Sequence, residues 1–194
     1  IGHAVTCSVS NVQPINLGSV NPLSATGATS SMTFNYTCAK ELGDTLAGIN
    51  LCFNIGASAV SGQVTPRNMS LSGTPARTLA YQLYQDAGRT RVWGSQYQSG
   101  TTFPMVQLSL LNLTPVTGSL TVSAQIVTPQ TSAVPGSYQD SYTTATALVT
   151  LNPGLLFPPT TCGDTVAARL PFTVSATVSK QCNITSATDI SFAP

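Results

Sequence analysis

The sequence predicts an all-β protein, a sandwich or a barrel. Phe172, Val174, Ala176 and Val178 alternate with Thr173, Ser175, Thr177 and Ser179, the two-residue period of a strand with one buried face. Similar short alternating runs recur along the chain between Gly-, Pro- and Asn-containing turns. No stretch sustains the 3.6-residue period of a helix.

The elements follow in order. Residues 4–10 form a first strand, and 11–29 are turn-rich, with Pro14, Gly18, Pro22 and Gly27. Residues 30–38 alternate strictly, residues 48–55 are a third strand, and 56–76 read as an irregular connection. Strands at 78–84 and 118–127 enclose a long excursion containing a short strand around Met105–Leu113. Residues 138–151 read as one long strand, followed by the proline-bracketed loop Asn152–Cys162 and the last strand at about 170–179.

At 194 residues the chain is one large domain or one and a fraction. Charged residues are only 7%, against about 25% in an ordinary soluble domain, and Ser and Thr take over the polar surface. So few Lys and Arg leave little to meet phosphates, which argues against a nucleic-acid partner. No apolar run reaches a membrane span and no signal peptide is visible, so the start at Ile1-Gly2 reads as a processed, mature product. The single histidine, His3, and the absence of any C-x-x-C pair leave metal ligation without support, and no cofactor is expected. Scattered carboxylates and the lack of a G-x-S-x-G elbow argue against an enzyme.

Five cysteines point to disulfides in an exported protein. Cys7 shares a face with Val5 and Val9, and Cys38 with Met32, Phe34 and Tyr36, so a Cys7–Cys38 bridge between inward faces is expected. Cys52 and Cys162 form a further candidate pair. Cys182 is left over. It opens a segment, Cys182 to Ala193, that aligns without a gap on Cys7 to Gly18, matching Val9 with Ile184, Ile15 with Ile190 and Leu17 with Phe192. Either two short β segments are alike by chance, or the chain begins a second copy of its own domain. The second reading divides the chain into a domain at 1–179 and the start of another at 180–194. It places the Cys182 partner in the rest of that second domain; a free thiol is the alternative.

Arg67-Asn-Met69, Leu79-Ala-Tyr-Gln-Leu-Tyr-Gln-Asp86, Trp93-Gly94 and Pro135-Gly-Ser-Tyr-Gln-Asp140, with the cysteine-bearing start, resemble the spore coat protein U-like domain of archaic chaperone–usher pilins. The resemblance covers most of residues 4–151. It implies an immunoglobulin-like sandwich. In that family a pilin lacks its last strand and takes one from the next subunit, because an open sheet edge must be covered. Here the donor-like strand (Phe172, Val174, Ala176, Val178) follows the domain on the same chain, so the domain is expected to complete itself. A subunit that neither accepts nor donates a strand there belongs at the tip of the pilus. The partners implied are its own second pilin domain and, through it, a periplasmic chaperone, an usher and the next pilin subunit. The place implied is extracellular, after export through the periplasm.

In an immunoglobulin-like order, residues 39–47, 85–117 and 152–169 connect strands at the end far from the second domain. They carry Leu42 and Leu46; Tyr97, Phe103, Pro104 and Met105; and Leu155, Leu156, Phe157 and Pro158. Exposed apolar loops mark interaction sites, and flanking prolines lower the ordering cost. The expected function is attachment and biofilm formation on hydrophobic abiotic surfaces, an activity the resemblance also implies. The alternatives are a glycan-binding tip using Asp44, Asp164 and Tyr97, and a purely structural pilin. Trp93 is expected in the core, and Arg67, Arg89 and Arg91 beside Asp86 or Asp140.

Overall fold

The computed structural model describes residues 5–180. Cys182, the repeat it opens and His3 lie outside the described residues. Twelve strands are described: β1 (Val5–Ser10), β2 (Ile15–Val20), β3 (Thr29–Lys40), β4 (Gly48–Ile55), β5 (Arg67–Leu71), β6 (Thr74–Tyr84), β7 (Met105–Ser109), β8 (Val116–Ile126), β9 (Gly136–Tyr142), β10 (Ala147–Gly154), β11 (Thr165–Arg169) and β12 (Phe172–Val178). They form an eight-stranded sheet ordered β1-β3-β8-β6-β5-β9-β12-β2 and a four-stranded sheet ordered β11-β10-β4-β7. The large sheet curls until β2 lies against β3 and β8. Phe34, Phe53 and Trp93 meet inside, with Phe34 5.9 Å from Phe53 and 6.4 Å from Trp93. The fold is the all-β sandwich that the alternation predicts.

β12 shows why the last strand matters. It pairs antiparallel with β9, Phe172 opposite Tyr142, and parallel with β2, Val174 opposite Ile15. Phe172, Val174, Ala176 and Val178 all point into the core and are buried. Their burial stabilises by on the order of 5–8 kcal/mol before ordering costs. Phe172 stacks on Tyr142 at 4.8 Å.

Four expected elements change. The strand expected over 138–151 is two strands, broken by a turn in which the Thr146 amide donates to the Thr143 carbonyl. The break lets β9 join β12 in one sheet while β10 joins β4 in the other. β2 lies in the segment read as turns. Its Gly18 takes a φ of 71°, and the Gly18 amide donates to Asn16 Oδ1, a local kink inside an otherwise paired strand. β5 lies in the segment read as irregular, because its inward positions are Arg67 and Met69, and an arginine disguises the alternation. β11 lies in the expected loop 152–169, separated from β12 only by Leu170 and Pro171.

Both cysteine pairs are bridged. Cys7 and Cys38, directly opposite on β1 and β3, have Cα atoms 4.1 Å apart. Cys52 and Cys162 are 5.9 Å apart at Cα and tie β4 to the loop before β11.

Candidate functional site

Three strands of the small sheet end at one level. Gly48, the first residue of β4, pairs with Gly154 at the end of β10 and with Ser109 at the end of β7. The loops that leave this edge, 41–47, 110–115 and 155–164, therefore rise from a common pole. They are tied at the base: the Ala47 amide donates to the Gly154 carbonyl (3.0 Å) and the Leu110 amide to the Ala47 carbonyl (2.8 Å).

Each loop lifts apolar side chains off that base. In the first, the Asp44 amide donates to the Glu41 carbonyl, and Gly43 holds a φ of 89°. Positive φ at the third position is the mark of a type II turn, and it sets Leu42 at the apex, 88% exposed. In the second, Asn112 Oδ1 accepts from the Thr114 amide at 3.0 Å, an Asx turn that leaves Leu111 and Leu113 79% and 49% exposed on either side. In the third, the chain folds back so sharply that a Cβ on Gly154 would stand 2.0 Å from the Phe157 carbonyl oxygen. Only glycine fits there, and Leu155, Leu156 and Phe157 stand out from the turn, each more than half exposed.

The third loop is held from behind. Gln107 Nε2 donates to the Pro159 carbonyl at 2.7 Å and the Pro158 carbonyl at 3.4 Å. Asn50 Nδ2 and Asn152 Nδ2 each donate to the Thr161 carbonyl at 3.0 Å. Cys162 is bridged to Cys52. Charges at the pole are confined to the first loop, where Lys40 Nζ donates to the Leu46 carbonyl and Asp44 Oδ1 accepts from the Leu46 amide. Residues 105–116 and 153–163 contain no ionisable side chain other than the bridged Cys162.

The expected set divides on this geometry. Leu42, Leu155, Leu156, Phe157 and the half-buried Pro158 share the pole. Leu46 does not face solvent: it is buried, turned inward beneath its own loop. Met105 is exposed but opposes Cys52, four residues along β4 from the pole, so it lies roughly 13 Å back. Pro104 is half-buried, and its carbonyl accepts from the Phe53 amide. Phe103 is half-buried against the core. Tyr97 lies beyond the far end of β4, beside Gly62, Gln63 and Gln98, where a cavity of about 540 Å³ opens. Burial, and then the nearby Asp164 carboxylate, raise its hydroxyl pKa. Asp44, Asp164 and Tyr97 are thus not one pocket. Leu111 and Leu113 are the members sequence reasoning missed. Met105–Leu113 reads as one alternating strand, yet β7 stops at Ser109; the usable signal was the Asn112-Leu-Thr114-Pro115 turn.

At the opposite end of β4 a polar cluster is buried. Arg67 is fully buried and donates to the carbonyls of Val64, Ile55, Gly56 and Trp93 and to Gln82 Oε1. Neither Asp86 nor Asp140 hydrogen-bonds the Arg67 side chain, whereas Arg91 does lie beside Asp86 as expected. Asp86 accepts from the Thr90 and Arg91 amides, and Asp140 from the Tyr81 hydroxyl at 2.6 Å and the Ser141 amide. The hydrogen bond from the Arg91 amide, the largest of several, holds the Asp86 pKa below its ordinary value. Trp93 is fully buried and donates its indole N–H to the Phe53 carbonyl.

Comparison with protein families matches the Spore Coat Protein U domain over residues 3–145. Comparison with curated proteins finds no match. Among solved structures the chain is similar to CfaE, the adhesive subunit of CFA/I fimbria of enterotoxigenic Escherichia coli. That likeness has 14% identity and a TM-score of 0.40, over 88% of this chain and 50% of that one. The CupB6 tip adhesin of Pseudomonas aeruginosa matches at 15% identity and TM-score 0.41, over 90% of this chain and 44% of its own. AggA, the major subunit of aggregative adherence fimbriae type I of Escherichia coli, matches at 13% identity and TM-score 0.30, over 92% and 97%. The chain spans about half the length of the first of these adhesins.

Proposed function

The chain belongs to the Spore Coat Protein U domain family, and on that premise we propose that it is the surface-binding domain of a bacterial pilus adhesin. It attaches the pilus tip to hydrophobic abiotic surfaces and so supports biofilm formation. The observation that carries this reading is the pole: three loops, cross-tied at their base, present Leu42, Leu111, Leu113, Leu155, Leu156 and Phe157 to solvent from one edge. Large apolar side chains exposed together at one edge mark an interaction site. Residues 110–115 and 155–163 carry no charge, so the contact they make has no charge code to select a partner. It suits any apolar surface. Burying these side chains on contact stabilises by on the order of 6–10 kcal/mol before ordering costs.

The rest of the reading follows the domain division. Residues 1–179 are the adhesin domain, completed by its own strand β12, and 180–194 begin a second, pilin domain. That domain engages the periplasmic chaperone, the usher and the next subunit during export, and the adhesin reaches the extracellular pilus tip. It is a binding module and not an enzyme.

The test is adsorption to methyl-terminated and hydroxyl-terminated monolayers, read by surface plasmon resonance. The reading predicts at least tenfold more protein retained on the methyl surface. Equal retention on both, or saturable binding to a glycan array without a methyl preference, contradicts it.

A further inference from the structure

The outer face of the small sheet is polar and yet covered at its centre. Across it, Gln107, Asn50 and Asn152 stand directly opposite one another on β7, β4 and β10. Asn50 is 1% exposed, covered not by the core but by the segment 158–162 that descends from the Leu155–Phe157 tip. That segment begins Pro158-Pro159, which has no N–H to offer a neighbouring strand. Its carbonyls are met instead by side-chain amides, all acting as donors.

Resting on the reading of the pole as the contact surface, we infer that Gln107, Asn50 and Asn152 are positioning residues. They clamp the Leu155–Phe157 loop in its binding shape and set how tightly the domain holds a surface. The clamp departs from what stability alone favours. Among the described residues Asn50 Oδ1 is buried with no hydrogen-bond partner, while its Nδ2 is spent on the loop. A buried acceptor left unpaired costs stability, and such departures cluster where function requires them. The core lies on the other face of β4, where Ile49, Leu51 and Phe53 pack. A clamp of this kind acts on affinity by removing the ordering cost that a loose loop would meet on contact. Gln107 also links loops, since β7 leads directly into the loop bearing Leu111.

The test compares the parent with Gln107→Ala/Asn152→Ala by hydrogen exchange, thermal melting and retention on a methyl-terminated monolayer. Gln107→Ala alone, at an exposed position, serves if the double variant does not fold. The clamp predicts at least fivefold faster exchange across residues 154–163 and unchanged exchange across 41–47. It also predicts a melting temperature within a few degrees and about three- to tenfold weaker retention. Gln107→Lys, which restores a donor, recovers the protection in the Asn152→Ala background. Unchanged exchange, or faster exchange with full retention, overturns the clamp while the hydrophobic-contact reading stands. A parent that shows no preference for the methyl surface overturns both.

Discussion

At its Gly48 end β4 leads into leucines and a phenylalanine that stand in solvent. At its Ile55 end it stops against an arginine with no exposure at all. Hydropathy alone would exchange the two. The difference lies in what each end must do with its backbone. Near Ile55 the chain leaves the sheet with carbonyls pointing inward, and only a side chain with several donors on one plane can meet those of Ile55, Gly56, Val64 and Trp93 together. At Gly48 the loops satisfy their own backbone through turns and cross-ties, so their side chains are free to face out. One end serves stability and the other, on the proposed function, serves contact, and each has its own failure mode.

The largest expected effect is at the buried end. Arg67→Leu strands the carbonyls of Ile55, Gly56 and Trp93 and should destabilise by about 3–5 kcal/mol, measured by urea unfolding. Retention per folded molecule should not change. A loss under about 1 kcal/mol would mean that the buried arginine is not the keystone of that end.

Next is Gly154→Ala, whose Cβ meets the Phe157 carbonyl oxygen at 2.0 Å. The tip turn must open, at a cost of about 1–3 kcal/mol. Retention on a methyl surface should fall several-fold, and an unaltered value would show that the shape of this turn is unimportant for contact.

Alkali should separate the two ends again. Burial pushes the Tyr142 hydroxyl up to about 12 and raises Tyr81, which donates to Asp140. Both are held neutral in the fold, against an unfolded value near 10.0. A folded pKa above the unfolded one means that their contribution is complete below pH 10 and is lost as pH rises from about 10 towards 12. Melting temperature should therefore show no step from these tyrosines up to pH 9 and fall above pH 10. A fall beginning at pH 8 would contradict the buried, neutral pair. The smallest effect expected is that of salt: with no charge in residues 110–115 and 155–163, retention at 1 M NaCl should equal or slightly exceed that at 0.05 M. A steep decrease would place charge, not apolar area, at the contact.

Much of the sandwich was legible in the sequence because its strands bury one face and alternate: β3, β8 and β12 could be read residue by residue. β5 could not, since its inward Arg67 reads as polar. β2 could not, since Asn16 and Gly18 make a kink inside a strand. β10 and β9 merged because the pattern continues across the sheet change. At the pole, the proline-bracketed Leu155–Phe157 was visible as an apolar run in a loop. Leu46 and Leu111 show the limit: neighbours in composition, one turns in and the other out. Which does so depends on cross-ties such as Leu110 to Ala47, between residues far apart in the chain.

The central claim is tested most directly by adsorption of Leu155→Ser/Leu156→Ser/Phe157→Ser to polystyrene beside the parent, with thermal melts of both. Three side chains already in solvent contribute little to the fold, so the melting temperature should hold within about 2 °C while adsorption falls at least tenfold. Undiminished adsorption with an intact fold would contradict the account. So would a melting temperature lowered by many degrees, which would make these residues part of the core.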